Sequence, residues 1–314
     1  MPKPKMERYT KKDFDRQFKN DAACLEWLKN YLYPDGILCK NCDQVTKHHR
    51  IASRPSYSCD HCGNHVHPTA DTIFHKSSTP LTTWFYAIYL MSSTRCGISA
   101  KQIERETGVT YKTAWRMFKQ IRIMLKDDKN SGPLGGPNSP GVEMDETYFG
   151  GVRRGVKGKP RPGDKKKTAV VGIVERKGRI RALAARDTRS ATLLGLVKEH
   201  ILPNTTVFTD EYQPYDGISH MANGYTHKRI KHSEKVYVVG DTHTNSVEGF
   251  WSLLKGGIRG VYHSVGSGYL QSYLDEYSFR YNRRFDTQPM FLSFLQQISK
   301  AIPADSATDN AEPF

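Results

Sequence analysis

The stretch VEMDETYFGG, Val142 to Gly151, decides the reading of this chain. Val142 and Met144 alternate with Glu143 and Asp145, β-forming residues follow, and two glycines close the run. The pattern predicts a strand from Val142 to Phe149. A carboxylate such as Asp145 next to apolar residues is costly unless it binds a cation or takes part in chemistry. A second carboxylate in the same situation is Asp210, which ends the predicted strand Thr206–Asp210 after Val207 and Phe208. A third lies on a predicted helix, in THTNSVEGFWSLLKGGIRG (242–260), where Asn245 and Glu248 are spaced i, i+3 and share a face. Lys255 lies two turns beyond Glu248 on that face, and Trp251 and Leu254 belong to the neighbouring apolar stripe. Two strand carboxylates and one helical one can hold a pair of Mg²⁺ (or Mn²⁺) ions about 4 Å apart, an arrangement suited to in-line phosphoryl displacement. Glu146, Glu211 and Asp216 are local competitors that spacing does not exclude.

Around this core the C-terminal half alternates strands and helices. Val170–Val174 and Ile180–Ala185 read as strands hinged at Lys177-Gly178, 190–201 as a helix, and Thr226–Ile230 as a further strand. Helices over about 243–256, 267–282 and 288–300 complete an α/β pattern with a mixed sheet. Between the first two strands runs a loop rich in Gly, Pro and basic residues, including Arg153, Arg154 and Lys157. Such runs are often only solvated; beside a phosphoryl-transfer site this one is expected to contact DNA. The Gly/Pro/Ser/Asn-rich segment 127–140 reads as a linker.

Toward the N-terminus, Cys39, Cys42, Cys59 and Cys62 form C-x2-C-x16-C-x2-C. Two CxxC turns brought together offer four thiolates to one ion, the layout of a zinc ribbon holding structural Zn²⁺. Four thiolates leave no open position for catalysis. His61, His65 and His67 read as surface residues, and Cys24 and Cys96 as small hydrophobes in helical surroundings. Beyond the ribbon, Ser99 can cap a short helix, Gly108 breaks it, and Thr110 can cap a longer one with Trp115, Phe118, Ile121 and Leu125 on one face. This predicts a helix-turn-helix whose second helix presents Tyr111, Lys112, Arg116 and Lys119 to DNA.

Composition agrees. The 314 residues carry 47 Lys and Arg against 32 Asp and Glu, a formal charge of +15. Such a field favours polyanionic partners. An aromatic content of 11% argues against wholesale disorder. The longest apolar candidate, Leu81–Met91, falls short of the roughly 18 residues that a membrane span needs. The segment MPKPKMERYTKK lacks the apolar stretch of a secretory signal. These features predict a cytoplasmic, nucleoid-associated protein without a membrane partner.

Taken together, the four-Cys ribbon, TIFHKSSTPLTTWFYAIYLM, MDETYFGG with its basic loop, VVGIVERKGRIRA, FTDEY, THTNSVEGFWSLLKGGIRGVYHSV and YLDEYSFRYNRR resemble the DDE-type transposases of bacterial insertion sequences, in the IS-fifteen-ninety-five (ISXO-like) group. The resemblance spans roughly residues 15–300. It implies an N-terminal helix and zinc ribbon (1–76), a helix-turn-helix region (77–126), a linker (127–140), a ribonuclease-H-like catalytic domain with a mixed five-stranded sheet (141–302) and a tail (303–314). It implies that Asp145 and Asp210 match the first two catalytic aspartates and that Asn245 or Glu248 completes the metal site. Lys255 would grip end DNA. The implied reaction binds double-stranded DNA at terminal inverted repeats, frees a 3′-OH by cleavage and joins it to target DNA, with at least a dimer pairing two ends. The alternatives are a transposase-derived DNA-binding regulator without catalysis and a hydrolytic nuclease of the same fold.

Overall fold

The computed structural model of the chain describes residues 6–126, 132–150, 167–230 and 245–298. Its N-terminal helices start where local capping chemistry directs. Thr10 caps helix α1 (Lys11–Gln17) in a reciprocal box with Asp13, and Asn20 caps α2 (Asp21–Leu32), its side chain accepting from the Ala23 N–H at 2.9 Å. Five short strands follow: β1 (Ile37–Cys39), β2 (Gln44–Thr46), β3 (His48–Arg50), β4 (Tyr57–Cys59) and β5 (His65–Val66). The first two form one antiparallel hairpin and the other three an antiparallel sheet. Helix α3 (Leu81–Ser93) buries Trp84, Phe85, Ile88 and Met91.

Helices α4 (Ala100–Thr107) and α5 (Tyr111–Met124) are separated by a turn whose chemistry is local. Ser99 and Thr110 each cap a helix through a side-chain oxygen, and Gly108 ends α4 at φ 70°, a left-handed conformation that costs glycine little. The buried Ala114, Met117, Phe118 and Ile121 of α5 recur at helical spacing.

The chain divides into two compact units, one formed by residues up to Leu125 together with those from Asp286 on, the other by Lys126–Phe285. The second unit contains β6 (Val142–Phe149), β7 (Thr168–Glu175), β8 (Ile180–Ala185), α6 (Ser190–His200), β9 (Thr206–Thr209), a 3-10 helix (Gln213–His220) and β10 (Thr226–Arg229). Helix α7 (Asn245–Gly257) continues into a π-helical turn, Ile258–Tyr262, and α8 (Ser267–Asn282) follows. The sheet order is β10-β9-β6-β7-β8, with β6, β7 and β8 antiparallel and β9 and β10 parallel to β6.

Strand alternation gives each face its own core. Val142 and Met144 of β6 pack with Leu193, Val197, Tyr215 and Ile218 from α6 and the 3-10 helix. Phe149 packs with Val247, Phe250, Trp251 and Leu254 of α7 and with Leu270 and Tyr277 of α8. Helix α9 (Met290–Leu295) is shorter than the expected 288–300 and belongs to the first unit, whereas the sequence reading grouped it with the second. The reason is aromatic packing: the Phe291 ring lies 5.9 Å from that of Phe14, 5.9 Å from Phe18 and 5.7 Å from Tyr89.

A glycine in β7 decides how closely α7 approaches the sheet. Gly172 pairs with Asp145, and a Cβ placed on it would lie 2.7 Å from Trp251 Cζ2 and 3.0 Å from Val247 Cγ2. The indole thus occupies the space a side chain would take. Gly172→Ala should displace Trp251 and destabilise the fold by about 1–3 kcal/mol. Denaturant unfolding would measure the loss, and unchanged stability would show that the helix yields without cost.

Candidate functional site

Two candidate centres emerge, one in each unit. In the first, Cys39 ends β1 and Cys59 ends β4, with Cys42 and Cys62 in the turns beyond. The turns match: the Asp43 N–H donates to the Cys39 carbonyl at 2.9 Å and the Gly63 N–H to the Cys59 carbonyl at 3.0 Å. Asp43 (φ 52°) and Gly63 (φ 72°) both take left-handed backbone. The Sγ atoms of Cys39 and Cys62 are 3.5 Å apart and those of Cys42 and Cys59 3.9 Å. A tetrahedral Zn–S₄ site with bonds of about 2.3 Å has sulfur–sulfur edges of about 3.8 Å, so the four residues fit zinc. Far longer than a disulfide, these separations leave all four as free thiols. The Cys59 thiol is lowered to about 5, chiefly by the hydrogen bond from the Thr46 hydroxyl, while neighbouring thiols, Cys62 first, raise Cys42. Among the described residues, these four cysteines form the group of His, Cys, Asp and Glu side chains close enough to hold an ion. His61, His65 and His67 are exposed outside it.

The second centre lies at the middle of the five-stranded sheet. In the parallel β6–β9 pair, Val142 is opposite Val207 and Glu143 opposite Phe208. The same register carried two residues on sets Asp210, just past the end of β9, abreast of Asp145. Residues abreast in a parallel pair point to the same face. On that face lies α7, whose Trp251 Nε1 donates to Asp145 Oδ2 at 2.8 Å. Trp251 is one turn from Glu248 and one turn from Lys255. The Asp145 carboxyl is raised to about 6, chiefly by burial and against the Trp251 hydrogen bond, with the charges of Asp210 and Glu248 contributing to the rise. The three carboxylates therefore interact through their charges, though they do not stand at ligand distance around one point. Asn245 and Glu248 are exposed and Lys255 is half-buried.

Glu146, one of the competitors, joins this cluster. Burial raises it to about 7 against a hydrogen bond from Tyr215, whose hydroxyl donates to Oε2 at 2.7 Å, and the charges of Asp210 and Asp145 add to the rise. The other two stand apart: Asp216 pairs with Arg229 at 2.8 Å, and Glu211 is exposed with its carbonyl accepting from Arg229. Asp210 is itself held in a turn, its Oδ1 accepting from the Tyr212 N–H at 3.0 Å. Sequence reasoning counted Trp251 as apolar packing only. The signal available for it was its i, i+3 spacing from Glu248.

On α5, Lys112 and Arg116 are exposed, whereas Tyr111 and Lys119 are half-buried. Tyr111 lies under the Lys101 ammonium, 5.6 Å from the ring centroid. Arg153, Arg154 and Lys157 lie outside the described residues. No helix among the described residues is long and apolar enough to cross a membrane.

The chain matches the ISXO2-like transposase domain over residues 133–282 and the transposase zinc-ribbon domain over residues 19–65. It is 25% identical over 279 residues to an uncharacterized protein in transposable element ISH50 of Halobacterium salinarum, covering 82% of this chain and 91% of the relative. It is 26% identical over 125 residues to an uncharacterized transposase-like protein of Haemophilus influenzae, covering 40% of this chain and 96% of that one. The transposase-domain match contains Asp145, Asp210 and all of α7, and the zinc-ribbon match contains the four cysteines. The chain thus carries an ISXO2-like transposase domain and a transposase zinc-ribbon domain.

Two expectations follow from the centres. The purified protein should carry one zinc per chain, and removal by a strong chelator, or Cys42→Ser, should speed amide exchange through residues 37–66. Metal analysis with hydrogen exchange checks this; a zinc-free protein with the same protection would remove the staple. The second concerns pH. The folded-state values of Asp145 and Glu146 are raised above their ordinary 3.8 and 4.5, so their protonated forms stabilise the metal-free fold. That contribution is full below about pH 4 and is lost as pH rises through 6 and 7. In Mg²⁺-free buffer, Asp145→Asn should melt a few degrees above wild type at pH 8, and the gap should close toward pH 4. Melting curves across pH would test it, and a gap independent of pH would contradict it.

Proposed function

We propose that this protein is a DNA transposase that binds the terminal inverted repeats of an insertion sequence, cuts at the element's ends and joins the freed 3′-OH to target DNA. The observation that carries this reading is the register of β6 and β9, which, continued past the end of β9, supports Asp145 and Asp210 lying abreast on the side from which Trp251 of α7 reaches Asp145. The mixed sheet, three antiparallel strands followed by two parallel to the first, supports a ribonuclease-H-like catalytic domain. The names of the relatives agree with mobility.

The donor set suits a hard divalent cation: carboxylate oxygens, buried enough to repel one another and partly exposed toward solvent. Asp145 and Asp210 would hold Mg²⁺ or Mn²⁺, with Glu248 or Asn245 completing the site. Two such ions, when bound, supply Lewis-acid activation of the attacking oxygen and charge stabilisation at the leaving one. The chain's own residues do the rest. Trp251 fixes one oxygen of Asp145. Tyr215 holds Glu146 beside the pair. Lys255, on the face of Glu248, attracts a DNA phosphate. Lys112 and Arg116 on α5 contact DNA as part of a helix-turn-helix, with Tyr111 and Lys119 alongside, and Arg153, Arg154 and Lys157 grip the backbone near the cut. The ribbon adds to end recognition. Joining two ends in one reaction requires at least a dimer on DNA.

The test uses the full-length protein with Mg²⁺ or Mn²⁺ and a supercoiled plasmid carrying the inverted repeats that border the gene. Wild type should nick the ends and produce joined products. Asp145→Asn and Asp210→Asn should reduce cleavage by about 100-fold or more while binding the ends with unchanged salt dependence. Cleavage without joining would favour a nuclease. End binding with no cleavage by any form would favour a regulator.

A further inference from the structure

Glu143 stands two residues before Asp145 on the same face of β6, and it is wholly buried. A carboxylate in that position is tolerated only when its oxygens are satisfied. Four hydrogen bonds reach it from elsewhere in the unit. Oε2 accepts from the N–H groups of Ser246 at 2.9 Å and Val247 at 3.1 Å, the first turn of α7. Oε1 accepts from the Ser246 hydroxyl at 3.2 Å and from Arg176 Nε at 3.1 Å. A negative charge at a helix N-terminus meets both the unsatisfied N–H groups and the positive end of the helix dipole.

Arg176 extends the connection to a third element. Its guanidinium carbon lies 3.6 Å from the centroid of the Phe208 ring. Phe208 is abreast of Glu143 in the β6–β9 pair and two residues before Asp210. The Arg176 N–H also donates to the Gly141 carbonyl at 3.0 Å, at the start of β6. One buried assembly thus touches the strand of Asp145, the strand of Asp210 and the helix of Asn245 and Glu248. In the two strands it does so two residues ahead of the acidic residue, and in the helix within one turn of Glu248.

We infer that Glu143, with Arg176 stacked on Phe208, is a positioning clamp that locks the start of α7 to β6 and β9, so that Glu248 and Asn245 are held facing Asp145 and Asp210. The clamp rests on the reading of these carboxylates as a divalent-cation site, which the experiment tests separately.

The experiment uses the full-length zinc-loaded protein, with Mn²⁺ alone as the probe. Free Mn²⁺ is titrated by electron paramagnetic resonance, and amide exchange is followed in residues 245–254 and in β6–β7. Asp145→Asn is the control for the site and should abolish Mn²⁺ binding there. Glu143→Gln should weaken Mn²⁺ about tenfold and speed exchange in the first turn of α7, with β6–β7 protected as in wild type. Glu143→Asp keeps the charge and should recover part of the affinity. Should Glu143→Gln fail to fold, Arg176→Lys and Phe208→Leu weaken the same connection with milder changes and should show the same pattern in smaller measure. Wild-type Mn²⁺ affinity and wild-type α7 exchange in the folded variants would overturn the clamp. So would faster exchange spread evenly over sheet and helix, which marks a merely structural pair. If Asp145→Asn binds Mn²⁺ like wild type, the cation-site reading fails, and the clamp then stands or falls on the α7 exchange alone.

Discussion

Bringing Asp145, Glu146 and Asp210 together in a half-buried place works against the stability of the fold, and the C-terminal unit is arranged around that cost. Burial and mutual repulsion raise Asp145 and Glu146 toward neutrality. Each is answered by one aromatic donor, Trp251 for Asp145 and Tyr215 for Glu146, from opposite sides of the sheet. The Glu146 backbone N–H also lowers both carboxyls, but not enough to offset burial.

Glu143 shows the contrast within the same strand. It is more deeply buried than Asp145, yet it is bonded on both oxygens by an arginine and a helix N-terminus. Two carboxylates two residues apart on one face therefore have different fates. One is fully satisfied and joins elements, and the other is left part-satisfied beside further negative charge.

In the first unit, a different constraint dominates. The five strands of the ribbon are two or three residues long and expose much of their surface, including Leu38 and Val45. Strands that short cannot bury enough apolar area to hold together alone. Four thiols at zinc-compatible separations supply the missing cross-link, and Tyr57 ties the ribbon to α2 through a 2.6 Å hydrogen bond to Glu26. The helices of that unit depend instead on an aromatic core to which α9 contributes Phe291.

Much of this was legible in the sequence because it is coded locally. Thr110 and Ser99 as caps, Gly108 as a stop, the strand Val142–Phe149 and the paired CxxC turns all depend on residues within a few positions of one another. The carboxylates Asp145, Asp210 and Glu248 stood out for the same reason, by the company they keep. What joins them was not legible. The Trp251–Asp145 bond spans 106 positions, the Ser246–Glu143 bond 103 and the Tyr215–Glu146 bond 69. Strand register selects which face each acid takes, and a one-residue slip would reverse every choice. Periodicity and capping leave that register open, since only packing of the assembled layers distinguishes one register from the next. The sequence by itself therefore determined the elements and the inventory of reactive groups. The tertiary structure decided which of those groups meet, which are satisfied, and to which unit the last helix belongs.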